Sequence, residues 1–168
     1  MIIQNILSTR FSTVFCTAAL LMALHLPAHG ADGAIRISSI AELEIQVVNA
    51  EGEKETKRVP VDTAVPGDEI IYTTTIENII DKPTGDIVIT NPVPNDTTFR
   101  LADGAMTDIT FSVDGGTQYA ASDKLIVETQ NGKTRAAVPA DYTHVRWAYK
   151  GELGVGKTSE VSFRAVIK

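Results

Sequence analysis

The sequence predicts an all-β fold, a sandwich or a barrel, and three observations support this expectation. Short runs in which apolar and polar residues alternate follow one another through most of the chain. Turn signals recur about every ten residues between these runs, a spacing typical of sandwiches and barrels. No amphipathic helix of three turns can be drawn after residue 30. Seven or more short strands are therefore expected.

The first thirty residues differ from the rest of the chain. Arg10 is their only charged residue, and the 16 residues of Phe11–Leu26 are apolar or small. Pro27 and a small-x-small site follow, so residues 1–30 are predicted to be a secretory signal peptide, cleaved after Gly30 or one residue later. An uncleaved membrane anchor is disfavoured, because a span needs about 20 residues. The expected destination is the periplasm, with the cell surface and the extracellular space as alternatives.

Cleavage would limit the chemistry open to the mature chain. The single cysteine and two of the three histidines lie in residues 1–30, so only His144 would remain. Disulfides, cysteine-based zinc sites, thiol nucleophiles and multi-histidine metal centres are then excluded. We expect neither a metal nor a cofactor.

The charge balance argues against nucleic acid as a partner. The formal net charge is −6, and it becomes −7 without residues 1–30, which hold one basic and no acidic residue. No basic run is longer than Lys57-Arg58. Phosphate backbones are bound by positively charged surfaces, which this composition does not supply.

The first half of the predicted domain contains both strands and a charged segment. Residues 31–42 form a lead-in to which the pattern assigns no element, and the domain is expected to cover residues 43–168. Its predicted elements are a half-buried strand at Leu43–Val47, a solvated loop or hairpin tip at Glu51–Arg58, an edge strand around Pro60, a turn at Pro66–Asp68 and a strand at Ile70–Ile76.

The second half alternates strands with turn signals. Hairpin cues occur at Asp103-Gly104, Asp114–Gly116 and Asn131-Gly132. The runs between turn signals predict strands at Ile87–Ile89, Thr97–Leu101, Ile109–Val113, Leu125–Thr129, Thr143–Tyr149 and Glu160–Ile167.

Alternation also predicts which side chains face the core. Val145 and Trp147 share one face of their strand, whereas His144 and Arg146 share the other. We therefore expect Trp147 to pack in the core against Phe163, which lies on the apolar face of the last strand. An exposed Trp147 acting as a platform for a sugar ring is the less favoured interpretation.

Several of these segments together resemble a known family. Val65–Asp68, followed by Ile71-Tyr72-Thr73 and Ile76-Glu77-Asn78, is similar to the opening signature of domain of unknown function family eleven. Further similar segments are Ile87–Pro94, Thr97-Thr98-Phe99, Phe111–Gly116 and His144–Trp147. The resemblance covers the chain from about residue 43 to the end. It implies an immunoglobulin-like antiparallel β-sandwich of about 7–9 strands with structural or adhesive roles in the bacterial envelope, and it implies no catalytic residues. Many members repeat the domain in arrays, whereas this chain contains one copy.

Gly151–Thr158 matches the phosphate-binding loop motif G-x-x-x-x-G-K-[ST]. That chemistry needs a helix directly after the loop, because the helix amino terminus holds the phosphates. Glu160–Ile167 alternates as a strand instead. We therefore expect the glycines to turn the chain, and we expect no nucleotide.

His144 is the one candidate for acid–base catalysis. Asp141 or Asp123 could orient it, and Ser122 or Ser162 could act as the nucleophile. No serine lies in a nucleophile-elbow motif, and His144 falls on the polar face of its strand. A solvated or cross-strand-bonded histidine is the favoured interpretation, so no catalytic, cofactor-binding or metal-binding residue is assigned.

Acidic residues near loops raise the question of calcium, which takes oxygen ligands. The residues concerned are Asp103, Asp108, Asp114 and Asp123, and they lack the close spacing of an EF-hand loop. A turn-forming and solubilising role is favoured.

Three functional hypotheses remain. The leading hypothesis is a non-enzymatic exported structural or interaction module of the bacterial cell envelope, whose partner is an envelope protein or a glycan. The second is a glycan- or peptide-binding module, which surface clustering of Tyr119, Tyr142 and Tyr149 would favour. The third is an envelope hydrolase that uses His144, which a serine oxygen within hydrogen-bond reach would favour.

Overall fold

The structure, a computed structural model, describes residues 33–168, so the predicted signal peptide lies outside the described residues. The described part is an all-β sandwich built from antiparallel sheets, as the sequence predicts. Its ten strands are β1 (Ile35–Val48), β2 (Lys54–Pro60), β3 (Glu69–Asn78), β4 (Val88–Pro92), β5 (Thr97–Gly104), β6 (Thr107–Ser112), β7 (Ile126–Glu128), β8 (Thr134–Ala136), β9 (His144–Tyr149) and β10 (Thr158–Ile167). Two single 3-10 turns complete it, at Ser122–Lys124 and Pro139–Asp141.

The strands form two principal sheets of unequal width. The larger sheet has the order β2-β1-β3-β10-β5, and the smaller has the order β4-β9-β6. β7 and β8 form a separate hairpin. Every strand pair is antiparallel. In residues 33–168 no helix is long and apolar enough to cross a membrane.

The core lies between the two principal sheets. β9 contributes Val145 and Trp147, and β10 contributes Val161, Phe163 and Ala165, all of them at most 1% exposed. The Trp147 and Phe163 ring centroids are 6.4 Å apart. The predicted facing of these two strands is therefore confirmed.

The Trp147 indole has a polar contact as well as an apolar one. Its Nε1 donates a hydrogen bond to the Asp103 carbonyl oxygen, at 3.0 Å. This bond satisfies the one polar atom of a side chain that is fully buried. It also ties β9 of the smaller sheet to β5 of the larger sheet.

The amino-terminal part of the sheet differs from the predicted elements. Most of the predicted lead-in belongs to β1, which begins at Ile35 and pairs with β3. The segment Glu51–Arg58 was expected to be a loop or hairpin tip, but Lys54–Arg58 belongs to β2 and only Asn49–Glu53 turns. An edge strand exposed on both faces needs no apolar side chains, so its charge resembles that of a loop.

The hairpin cues have different outcomes. Asn131-Gly132 connects β7 to β8, and Gly132 has the positive φ of 74° that such turns require. Asp114–Gly116 lies in a loop closed by hydrogen bonds between Phe111 and Ala120. Asp103-Gly104, by contrast, ends β5 where the chain passes to β6 in the other sheet. The same dipeptide signal therefore marks a change of sheet as well as a hairpin.

Candidate functional site

His144 lies at the start of β9, on the outer face of the smaller sheet. Its Nδ1 is 3.2 Å from the Thr143 hydroxyl. The proposed nucleophile Ser162 lies on β10 of the larger sheet, and Ser122 lies in the first 3-10 turn. Ser112 is the serine paired with His144 across the sheet, and its hydroxyl donates to Asp114 at 2.7 Å. Neither candidate nucleophile, Ser122 or Ser162, is a hydrogen-bond partner of His144 among the described residues.

Asp141, proposed to orient His144, has another partner. Its carboxylate accepts two hydrogen bonds from Arg135, at 2.6 and 2.7 Å, and one from the Val138 backbone N–H. The Arg135 hydrogen bonds hold the pKa of Asp141 below its usual range. This carboxylate closes the turn after β8 by fixing Val138 and Arg135.

The four acidic residues considered for calcium are in separate local contacts. Asp103 accepts a hydrogen bond from the backbone N–H of Gly104 at 2.7 Å. Asp114 accepts hydrogen bonds from Ser112 and from the backbone N–H groups of residues 117 and 118, which lower its pKa. Asp108 pairs with Lys150 at 2.6 Å, and Asp123 lies 3.2 Å from the neighbouring lysine. Among residues 33–168 no group of three or more potential metal ligands occurs.

The segment that matches the phosphate-loop motif, Gly151–Thr158, connects β9 to β10. Leu153 is bridged to Thr84, and β10 begins at Thr158. A strand therefore stands where a phosphate loop requires a helix, as the alternation predicts. The amino-terminal helix dipole that holds phosphate has no counterpart at this place.

The three tyrosines considered as a ligand surface do not lie together on the outside. Tyr142 is buried, with its ring stacked on Phe111 at 4.5 Å between centroids. Tyr119 is half-buried and covered by the Arg146 guanidinium, 3.4 Å from the ring centroid. Tyr149 is half-buried against the core. The clustering that would favour glycan binding is not observed.

The most exposed apolar surface lies along β1. Its side chains alternate between the face that continues the core and the outer face, yet large apolar residues are exposed on both. Their exposed fractions are 59% for Ile37, 56% for Ile40, 39% for Ile45 and 68% for Val48. The smaller sheet has only three strands, and β4 is the strand at its edge.

Two parts of β1 have different neighbours. Residues from Glu42 onward pair with β2, and this β1–β2 ribbon extends past Leu43, the last β1 residue paired with β3. We call the ribbon from Glu44 to Arg58 the hairpin arm. Residues Ile35–Ile40 pair with β3 on one side only, and we call them the open edge.

Ion pairs hold the hairpin arm at its base. Arg164 on β10 donates to both carboxylate oxygens of Glu44, at 2.9 and 3.2 Å, and to Glu69 at 2.9 Å. Arg58 lies 3.4 Å from the same Glu44 carboxylate. The Arg164 hydrogen bonds are the main cause of the lowered pKa of Glu44. Arg164 therefore joins the base of the arm to β10 and to the start of β3.

A cleft of about 380 Å³ borders the open edge. Its lining consists of uncharged side chains from β1, β3, β10 and the end of β4. Thr74 connects β1 to β4, since its hydroxyl lies 2.9 Å from the Ser39 hydroxyl and accepts a 2.9 Å hydrogen bond from Asn91. Tyr72 and Phe163 stack at 4.6 Å in the same cleft. Burial raises the pKa of Tyr72, so its hydroxyl stays neutral.

Sequence reasoning did not find this surface. The pattern showed that β1 has an apolar side from Leu43 to Val47, but exposure depends on how far the smaller sheet reaches. The signal that could have found the open edge is the run Ile35–Ile40, which has β-branched residues, one charge and no proline.

Comparisons with known proteins leave the family unassigned. No protein-family model matches the sequence, and a search of the curated proteins finds no match.

Proposed function

We propose that the chain is a non-enzymatic, exported structural or interaction module of the bacterial cell envelope. The observation that carries this proposal is the exposure of four large apolar side chains along one strand, β1, two on each of its faces. The hydrogen bonds that join Glu44, at the base of the hairpin arm, to Arg164 favour a preformed contact surface at that place.

Membership in domain of unknown function family eleven, with its immunoglobulin-like fold, is part of this proposal. Two antiparallel sheets packed around a common core support it. One feature departs from the constant-type immunoglobulin order, which places the last strand at a sheet edge: here β10 lies between β3 and β5.

Export is proposed from residues 1–30. Amino-terminal sequencing of the protein from the cell-envelope fraction tests it. The expected first residue is Ala31 or Asp32, and the periplasm is the expected compartment. An intact Met1 on a membrane-bound species would contradict the proposal.

The contact surface is tested by site-specific photocrosslinking in the exporting cell. A photoreactive residue at Val48 is expected to give a covalent adduct with an envelope component, identified by mass spectrometry. The matched control is Ile126 on β7, an aliphatic residue 63% exposed against 68% for Val48. Equal adduct yields at the two positions would contradict a role for β1 in binding.

The alternative is a glycan- or peptide-binding module. One observation supports peptide binding, and none supports glycan binding. The open edge and the adjoining cleft are suited to an extended peptide, since backbone hydrogen bonds supply affinity and a cleft receives side chains. Adducts that form at Ile37 with peptides of many sequences, and are absent at Val48, would favour this alternative.

A further inference from the structure

We infer that the open edge binds a second copy of this chain, as an antiparallel β1–β1 pair with the two-fold axis at Ile37. The inference deepens the proposed function, and it rests on that proposal only for the assignment of β1 as a contact surface.

The first step concerns unpaired backbone groups. In an antiparallel sheet successive residues direct their N–H and C=O groups alternately to the two neighbouring strands. The Ile79 N–H donates to the Ala34 carbonyl, which directs the even-numbered residues of this segment toward β3. Ile35, Ile37 and Ser39 consequently direct theirs to the other side, where no described strand pairs with them.

The second step compares this edge with other edges of the same molecule. β2 carries Lys54, Lys57 and Arg58 and ends at Pro60, and β4 ends at Pro92. Lysine and proline are the residues by which natural proteins protect edges from pairing with another chain. The open edge contains neither, and the same is true of the edge strands β5 and β6. The single charge of the open edge, Arg36, is paired with Glu77 on β3 at 2.7 Å. The open edge is therefore not protected against pairing with another chain.

The third step fixes the register. A two-fold axis at Arg36 would place two guanidinium groups opposite each other, which is unfavourable for a cross-strand pair. An axis at Ser38 would pair Ile35 of one copy with Ala41 of the other. The Ala41 carbonyl already accepts a hydrogen bond from the Val61 N–H. An axis at Ile37 avoids both problems and uses all three unpaired residues of each copy, giving about six backbone hydrogen bonds.

The side chains suit this register. Ile37 lies opposite its own copy, Arg36 lies opposite Ser38, and Ile35 lies opposite Ser39 at the mouth of the cleft. The ladder ends where Ala34 meets Ile40, one residue before the position that Val61 occupies beside Ala41. The result is an isologous dimer with one continuous sheet.

Sedimentation analysis over a concentration series tests the inference, using the processed protein purified after export. The wild-type protein is expected to form a concentration-dependent dimer. Ile37→Lys, which places two ammonium groups at the axis, is expected to raise the dimer Kd by about tenfold or more, equal to about 1.4 kcal/mol. Val48→Lys is the matched control, on the same strand but outside the open edge, and is expected to leave the Kd unchanged.

A disulfide test measures the register without relying on a charged variant. The mature chain is expected to have no cysteine, so Ile37→Cys introduces the only one. Its Cα atom would lie about 5.5 Å from its counterpart, within the range of disulfides. Rapid oxidation to a covalent dimer is expected for Ile37→Cys and not for Val48→Cys, although position 48 is the more exposed.

Three results would overturn the inference: a wild-type monomer up to about 1 mM, a dimer that Ile37→Lys leaves intact, and equal oxidation at the two cysteine positions. A monomer whose Val48 position still crosslinks to an envelope component would retain the proposed function and reject the second copy. A dimer without any envelope adduct would retain the second copy and reject the proposed function.

Discussion

Removing the Trp147 side chain tests the packing of the sandwich. In Trp147→Ala a fully buried indole is lost from its contact with Phe163. Truncation of a buried aromatic costs about 3–5 kcal/mol. The Asp103 carbonyl also loses its hydrogen bond from Nε1, a contribution of about 1 kcal/mol that we place within that range. We expect the free energy of unfolding to fall by about 4 kcal/mol.

Urea denaturation followed by far-ultraviolet circular dichroism measures this change without the lost fluorophore. With an m-value of about 2 kcal/mol/M, the midpoint should fall by about 2 M. His144→Ala, the neighbouring control on the outer face, should change the free energy of unfolding by about 0.5 kcal/mol or less. A loss below about 1 kcal/mol for Trp147→Ala, or equal losses for both variants, would refute the assigned faces of β9.

Three further predictions concern a tight glycine, an ion pair and the glycine-rich loop. Gly104→Ala should destabilise the folded protein by about 1–3 kcal/mol, because the new Cβ would lie 2.9–3.0 Å from three side-chain atoms. Gly154→Ala is the control. Its new Cβ would lie 3.4 Å from the nearest atom, so it should cost less in the same denaturation assay. Asp141→Asn should cost about 1 kcal/mol or less at neutral pH. Because Arg135 lowers the pKa of the folded carboxyl, this contribution is present above the unfolded pKa of about 4 and should decrease as the pH falls through the folded value. A cost that does not decrease as the pH falls below about 4 would contradict this assignment. Calorimetric titration with ATP and Mg²⁺ should show no saturable binding, whereas a Kd below about 100 μM that is lost in Lys157→Ala would contradict the absence of a phosphate site.

The sequence was informative where burial imposes alternation. β9 and β10 each have one buried face, so the pattern placed Val145, Trp147 and Phe163 correctly. β2 has no such face, and its charge was read as that of a loop. The change of sheet at Asp103-Gly104 could not be predicted either, because a turn signal does not indicate which sheet the next strand joins.

The candidate surface was beyond sequence reasoning for a related reason. Ile37 and Ile40 lie on opposite faces of β1, and both are exposed. Strand periodicity predicts which residues share a face, but it does not predict how many strands cover that face. His144 shows the converse, since alternation placed it on the polar face and the structure agrees.

The proposed β1–β1 pair requires that the open edge be unpaired in the single chain. Residue-resolved amide hydrogen exchange along β1, at a concentration below the dimer Kd, measures this directly. Arg36, Ser38 and Ile40 should exchange slowly because they bond to β3, whereas Ile37 and Ser39 should exchange fast. Protection of Ile37 and Ser39 should then appear as the concentration rises. Uniform protection from Arg36 to Ile40 in the dilute monomer would contradict an open edge and with it the β1–β1 pair.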